Sequence, residues 1–301
     1  MSAAFGGLPV GELAAVAAAI MWAVGSLLFG RIGRDGVSAG VLNLGKLVVA
    51  GGALALTALA RTGHVIPHAP TPALVLLAVS GVVGLTIGDT AYFGSMIALG
   101  VPRAILLLSG APVFAALGGF LWLGERLDAR AILGMALVFA GIALVVMRPD
   151  PTRAKGFGRG VALGVLAALC QAAGSLLSRR AMQVGIDPLA AAAGRILVGL
   201  VGLTVMALLT REAVTWTRSL FQGRTFVRIG VAAMIGTYCG IWLAQTSLLH
   251  ARSTGVATTL LATSPIFALP ISHVLGHEKM TVRSAVGVLV AIAGIAALSL
   301  R

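Results

Sequence analysis

Runs of about 20 apolar residues recur along the whole chain, separated by short polar punctuation. Each is long enough to cross a hydrocarbon core of ~30 Å at about 1.5 Å per residue. Backbone N–H and C=O groups find no water in lipid, so such runs predict α-helices. Ten are predicted, five in each half: residues 11–30, 37–60, 71–99, 102–123 and 130–148, then 160–178, 187–210, 228–250, 253–275 and 281–300. Thr71-Pro72 and Asp187-Pro188 read as an N-cap followed by proline in the first turn. A polar, basic, Pro/Gly-rich segment, "MRPDPTRAKGFGRG", divides residues 1–150 from 151–301.

The two halves repeat each other. "GAPVFAALGGFLWLGERLDARAILGMALVFAGIA" returns as "TSPIFALPISHVLGHEKMTVRSAVGVLVAIAGIA", with Pro112 and Pro265, Gly134 and Gly287, and Gly141 and Gly294 each 153 positions apart. Earlier in each half the offset is 149, which matches "GSLL" at Gly25 with "GSLL" at Gly174, and Lys46 with Arg195. Five spans per unit is an odd number, so consecutive copies enter the membrane in opposite directions. The expected fold is all-α and integral to the membrane: ten transmembrane helices as two inverted five-helix repeats. Duplicated units of this kind build many transporters, with the substrate site at the interface between the copies.

Composition sharpens this picture. Hydrophobic residues make up 58% and charged residues 10%, with a mean hydropathy of +1.02, which excludes a soluble globular domain. Cys170 and Cys239 both lie in apolar runs, so no disulfide framework is implied. The first apolar stretch lacks a basic flank and reads as a span, not a signal peptide. The net charge of +13 sits in the connections and forms no basic patch with interleaved aromatics, so no nucleic-acid partner is expected. Seven Lys/Arg fall on the side of the termini and thirteen on the other, which by the positive-inside rule puts the termini outside the cytoplasm.

Charges inside spans are costly and therefore candidates for function. Lys46 lies about 14 Å into the second predicted helix and Asp89 about 15 Å from the same face in the third, so the two can pair. Trp22 and Tyr92 belong to the same layer. Two readings stand side by side: a buried salt bridge that only joins helices, or a pair in which Lys46 attracts a carboxylate or Asp89 exchanges a proton. Arg195 repeats Lys46, but the counterpart of Asp89 is Ile241, so Arg195 has no acid at the equivalent place. Its expected neighbours by depth are Gln171, Trp242 and Gln245, with Asp187 two turns away. It could take a carboxylate bidentately, bond backbone carbonyls, or snorkel to the interface. Pro112 and Pro265, near the centres of the fourth and ninth helices, are candidate hinges, and Ser109 and Thr263 beside them could face a cavity. Tyr238 and Trp242 add ring faces that could hold an ammonium. Gly84-x-x-x-Gly88 and Gly236-x-x-x-Gly240 predict close helix packing.

Several of these features together resemble a known family. The proline in the middle of the fourth helix of each half, Gly124-Glu125, the glycine-bearing "ILGMALVFAGIAL", the "MWAVGS" motif, and basic residues at 46 and 195 are similar to the EamA branch of the drug/metabolite transporter superfamily. Two features depart from that pattern: Gly276 to Glu278 reads Gly-His-Glu, and Gln171 replaces the counterpart of Trp22. The resemblance implies export or exchange of small metabolites such as amino acids, or of toxic amphipathic compounds. It also implies both termini in the cytoplasm, opposite to the charge count.

The chain carries no H-E-x-x-H, P-loop or G-x-S-x-G, so neither an enzyme, a metal site, a cofactor nor ATP hydrolysis is expected. The expected protein is a multi-pass carrier of the cell's inner membrane, monomeric or homodimeric, whose partners are a small molecule and the bilayer. The proposed wall residues are Trp22, Lys46, Asp89, Tyr92, Ser109, Gln171, Arg195, Tyr238, Trp242, Gln245 and Thr263. Alternatives are a sugar-phosphate or nucleotide-sugar exchanger, a multidrug efflux carrier, and a non-transporting scaffold or channel.

Overall fold

A computed structural model of the chain describes residues 10–123, 129–147, 156–250, 260–274 and 281–299. Its helices, in order, are α1 (Val10–Arg34), α2 (Ala39–Thr62), α3 (Thr71–Leu99), α4 (Val101–Gly118), α5 (Ala129–Val146), α6 (Phe157–Met182) and α7 (Pro188–Leu209). A short α8 (Ala213–Leu220) precedes α9 (Thr225–Ser247), and α10 (Ser264–Val274) and α11 (Val282–Ser299) follow. Helices α1 to α7 and α9 are each long and apolar enough to cross a membrane, which makes eight such spans among the described residues, with shorter apolar stretches at Ser264–Val274 and Val282–Ala297. The predicted ninth span is described only from residue 260, and Gly124-Glu125 and Gly276 to Glu278 lie outside the described residues.

Helix ends follow local chemistry. The Asp187 carboxylate accepts from the Leu189 and Ala190 N–H groups at 3.0 Å and opens α7, with Pro188 in the first turn. Ser38 caps α2, which stops at Gly63 in the left-handed region (φ 75°), where the Gly63 N–H bonds Leu59 O. Thr71 does not cap α3; it is the first helical residue, after Pro70, whose side chain has no oxygen to offer.

Both candidate hinges sit differently from the mid-helix kink expected. The fourth predicted helix is broken at Ser109-Gly110 into Val101–Leu108 and Ala111–Leu123, and Pro112 is the second residue of the latter. Ala262-Thr263 breaks the chain in the same way before α10, where Pro265 is second. A proline in a first turn sacrifices no helical bond, because that N–H has no partner within the helix. The two breaks share one hydrogen-bond pattern: Gly110 N–H to Leu107 O (3.0 Å) and Val113 N–H to Gly110 O (3.0 Å) match Thr263 N–H to Leu260 O (3.1 Å) and Ile266 N–H to Thr263 O (2.8 Å). A further proline, Pro270, lies inside α10.

The helices pack through exchanged contacts between the halves. α1 lies on α9, α3 on α6, and α5 on α11. At the first crossing Gly25 meets Gly236 so closely that a methyl group on Gly236 would stand 2.7 Å from Gly25 Cα. At the second, Gly174 meets Gly84, with a methyl on Gly174 at 3.3 Å from Gly84 Cα. Gly25 and Gly174 are repeat counterparts, as are Gly84 and Gly236, so each first helix grips the third helix of the other half. The α5–α11 pair repeats the exchange: Gly141 abuts Gly287 O, and Gly294 abuts Gly134 O. The same glycine contacts thus recur with the halves exchanged.

Candidate functional site

α3 and α9 each contain a π-helical turn, at Val82–Gly88 and Ala233–Cys239, that the periodicity did not foretell. Both fall on the repeated Gly-x-x-x-Gly segments. A π-turn widens the helix and leaves carbonyls without their usual partners, and it is found disproportionately at functional sites. In α3 one such carbonyl, Leu85 O, is taken by a neighbouring side chain, and hydroxyls at and before the turn bond carbonyls of other helices. Asn43 Nδ2 on α2 donates to Leu85 O at 2.8 Å and to Thr90 Oγ1 at 2.9 Å. Thr86 Oγ1 donates to Gly199 O on α7 at 2.8 Å, and Ser80 Oγ to Gly174 O on α6 at 2.6 Å.

Asp89 is the first residue beyond this turn, and its own N–H reaches back five residues to Gly84 O. One helical turn after Asn43, Lys46 donates from Nζ to Asp89 Oδ2. The side chains of the pair are 8% and 20% exposed, so this is a nearly buried charge pair. The Lys46 ammonium also stands 5.6 Å from the centre of the Phe93 ring, whose neighbour Phe29 is 4.9 Å away. Tyr92 and Ser26 hydroxyls bond at 3.1 Å.

These groups form the floor of a cavity of about 920 Å³ between the halves. Its walls come from α1 (Trp22, Ser26), α4 (Ser109, Pro112), α6 (Gln171, Ser175), α9 (Gly236, Thr237) and the start of α10 (Ser264). Arg179, exposed in the last turn of α6, also lines it. The volume suits a ligand of roughly amino-acid to drug size.

Trp22, Lys46, Asp89, Tyr92, Ser109, Gln171 and Pro112 therefore converge on one cavity. The other residues singled out lie elsewhere. Arg195 packs its guanidinium against the glycine crossing of α3 and α6, with Nη2 3.2 Å from where a Gly84 methyl would be. Its Nε is buried without a hydrogen-bond partner among the described residues. Tyr238 bonds Thr57 Oγ1 at 3.0 Å, Trp242 is 39% exposed on the outside of the bundle, and Gln245 reaches Pro188 O at 3.5 Å. Thr263 Oγ1 closes on Leu260 O at 2.6 Å, and Pro265 is buried in α10. Asn43, Ser26, Phe29, Phe93 and Arg179 are the structure's additions. Asn43 carried a signal, an amide one turn before Lys46 in an apolar run; Arg179 had counted only as a connection charge. No cluster of His, Cys, Asp and Glu suited to a metal occurs among the described residues.

Apolar spans, a nearly buried charge pair and a cavity between two similar halves define a multi-pass membrane protein of the transporter class. The sequence matches the EamA-like transporter family over residues 9–147 and again over 158–300. The chain belongs to that family. Among its relatives, an uncharacterized transporter of Bacillus subtilis, YvbV, is 25% identical over 61% of this chain and 58% of its own length. A probable terminal-alkyne amino-acid exporter of Streptantibioticus cattleyicolor is 32% identical over 39% of this chain and 38% of its own. The chain thus spans less than two thirds of either relative. A crystal structure covered to 96%, as is this chain, superposes with a TM-score of 0.65 at 17% identity, a likeness of fold alone.

Proposed function

We propose that the protein is a secondary transporter of the cell's inner membrane that exports or equilibrates small zwitterionic metabolites, amino acids or close relatives. Its two five-helix repeats are inverted and alternate access to the central cavity. The observation that carries this reading is the Lys46–Asp89 pair in a cavity whose other walls mix apolar and aromatic side chains with hydroxyls, Gln171 and a second cation, Arg179. A zwitterion can enter such a pair without leaving a charge unmatched, its carboxylate meeting Lys46 and its ammonium meeting Asp89 and the ring faces of Tyr92 and Phe93. A dianionic phosphate would meet a lysine already neutralised. The exchanged glycine contacts support two bodies that move about a common two-fold axis, and the paired breaks before Pro112 and Pro265 give each half a joint beside the cavity. The relative described as an amino-acid exporter points to the same substrate class.

The test is counterflow. Proteoliposomes preloaded with an unlabelled amino-acid mixture should accumulate labelled amino acids transiently, saturably, and only when the protein is present. Absence of counterflow from folded protein overturns the substrate class. Linear, unsaturable entry would instead mean a channel.

A further inference from the structure

The connection between α7 and α9 has no counterpart in the first half. There, residues 63–70 cross from α2 to α3 without a helix, a lysine or an arginine. Here the chain turns sharply at Arg211, the one described non-glycine residue with positive φ (60°), and forms α8. One face of α8 is held by the protein: Trp216 packs over Gly40 and Leu220 beside Gly45, both on α2. The opposite face carries Val214 (80% exposed), Thr217 and Arg218, and the chain continues into Phe221 (64%) and Arg224. Leu209 at the end of α7 and Val227 at the start of α9 are also bare.

An amphipathic helix pinned across the ends of two spans lies at headgroup depth, and the charge there is one-sided. Arg211, Arg218, Arg224 and Arg228 face a single acid of the same connection, Glu212. The nearby Asp35 carboxylate is taken by Arg228. The side chains of Arg211, Arg218 and Arg224 are exposed and have no partner among the described residues. Exposed apolar residues interleaved with unpaired arginines at this depth match the acyl boundary and phosphate layer of an anionic lipid.

We propose that α8 and its flanks form a binding surface for anionic phospholipid headgroups, with Arg211, Arg218 and Arg224 holding the phosphates and Val214 and Phe221 dipping into the acyl region. The surface is separate from the cavity and stands or falls without the transport reading. Each arginine contributes roughly a fivefold factor at a membrane surface. The R211Q/R218Q/R224Q variant of the full chain should therefore bind phosphatidylglycerol on the order of 100-fold more weakly than wild type in detergent micelles titrated with that lipid. Phosphatidylcholine binding should be unchanged, and R61Q, at the opposite end of α2, should behave as wild type. The readouts are retained lipid by native mass spectrometry and the lipid-induced rise in thermal midpoint. Should the triple variant fail to fold, wild type alone decides: ~0.5 M salt should strip phosphatidylglycerol but leave phosphatidylcholine. Equal retention by wild type and triple variant, equal loss in R61Q, or salt-insensitive retention would overturn the proposal. So would a change of oligomeric state with unaltered lipid binding, which would give the patch to a second copy of the chain.

Discussion

Lys46 and Asp89 show how little room a membrane interior leaves for an isolated charge. Removing one partner leaves the other stranded in a nearly dry site, whereas removing both leaves a neutral surface. Lys46→Met should lower stability by about 2–4 kcal/mol, and adding Asp89→Asn should recover most of that loss. A thermal-shift cycle in detergent checks the recovery, and counterflow checks the role: the double variant should fold yet transport at below about a tenth of the wild-type rate, equivalent to ~1.4 kcal/mol or more. Normal transport by the double variant would reduce the pair to a strut between α2 and α3. At the surface, Asp35 gives a smaller, pH-dependent effect. The hydrogen bond from Arg228 holds its carboxyl below the ordinary carboxylate range, and Arg31 and Arg34 add to this. Because the folded form favours the charged carboxylate, the pair stabilises above the unfolded-state pKa and its contribution fades as pH falls through the lowered one. Asp35→Asn should lower the thermal midpoint at pH 7 by no more than about 1–2 °C, since exposed pairs are screened, and the difference should vanish in acid.

Helices here are spaced by glycine. Gly236→Ala would press a methyl group to 2.7 Å from Gly25 Cα, backbone against backbone, so one of the two helices must move. A cost of about 1–3 kcal/mol follows. Gly52→Ala is the control: it is exposed on α2 with nothing within 4 Å of the new methyl, and should be neutral or gain up to about 1 kcal/mol. Parallel thermal unfolding of the two variants measures this. The Gly-x-x-x-Gly spacing announced the close approach in the sequence. The π-turns built on the same glycines were hidden, because whether a carbonyl can be spared from the i→i−4 ladder depends on what stands opposite. In α3 that is Asn43, an amide contributed by another helix.

Alternating access makes a demand on the whole molecule. Ser175 and Arg179 line the cavity and are exposed, while Lys46, Phe29 and Phe93 line it and are buried. In a background with Cys170 and Cys239 replaced by alanine, Ser175→Cys should react with an impermeant maleimide from one face of sealed vesicles only. A saturating transported amino acid should change that rate at least about twofold, as expected when a ligand shifts a two-state equilibrium. Reaction from both faces, or a rate indifferent to every transported compound, would argue against a gated cavity. The orientation of that face in the cell bears on the opposing indications from connection charge and family resemblance, and the same labelling in spheroplasts reads it directly.

The amino-acid sequence alone determined the helical, membrane-embedded class, the duplication, and the place of each charge along its span. Apolar run length, internal repetition and a fixed rise per residue are one-dimensional quantities, legible along a chain. The rotational setting of each helix was decided only by tertiary packing. Lys46 and Arg195 occupy equivalent places in the repeat, yet Lys46 turns to Asp89 on the cavity floor while Arg195 is wedged beside Gly84 and Gly174. Tyr238, Trp242 and Gln245 likewise point to other neighbours than the cavity. Which side of a helix faces a cavity depends on contacts between residues far apart in sequence, and those exist only once the two halves have closed on each other.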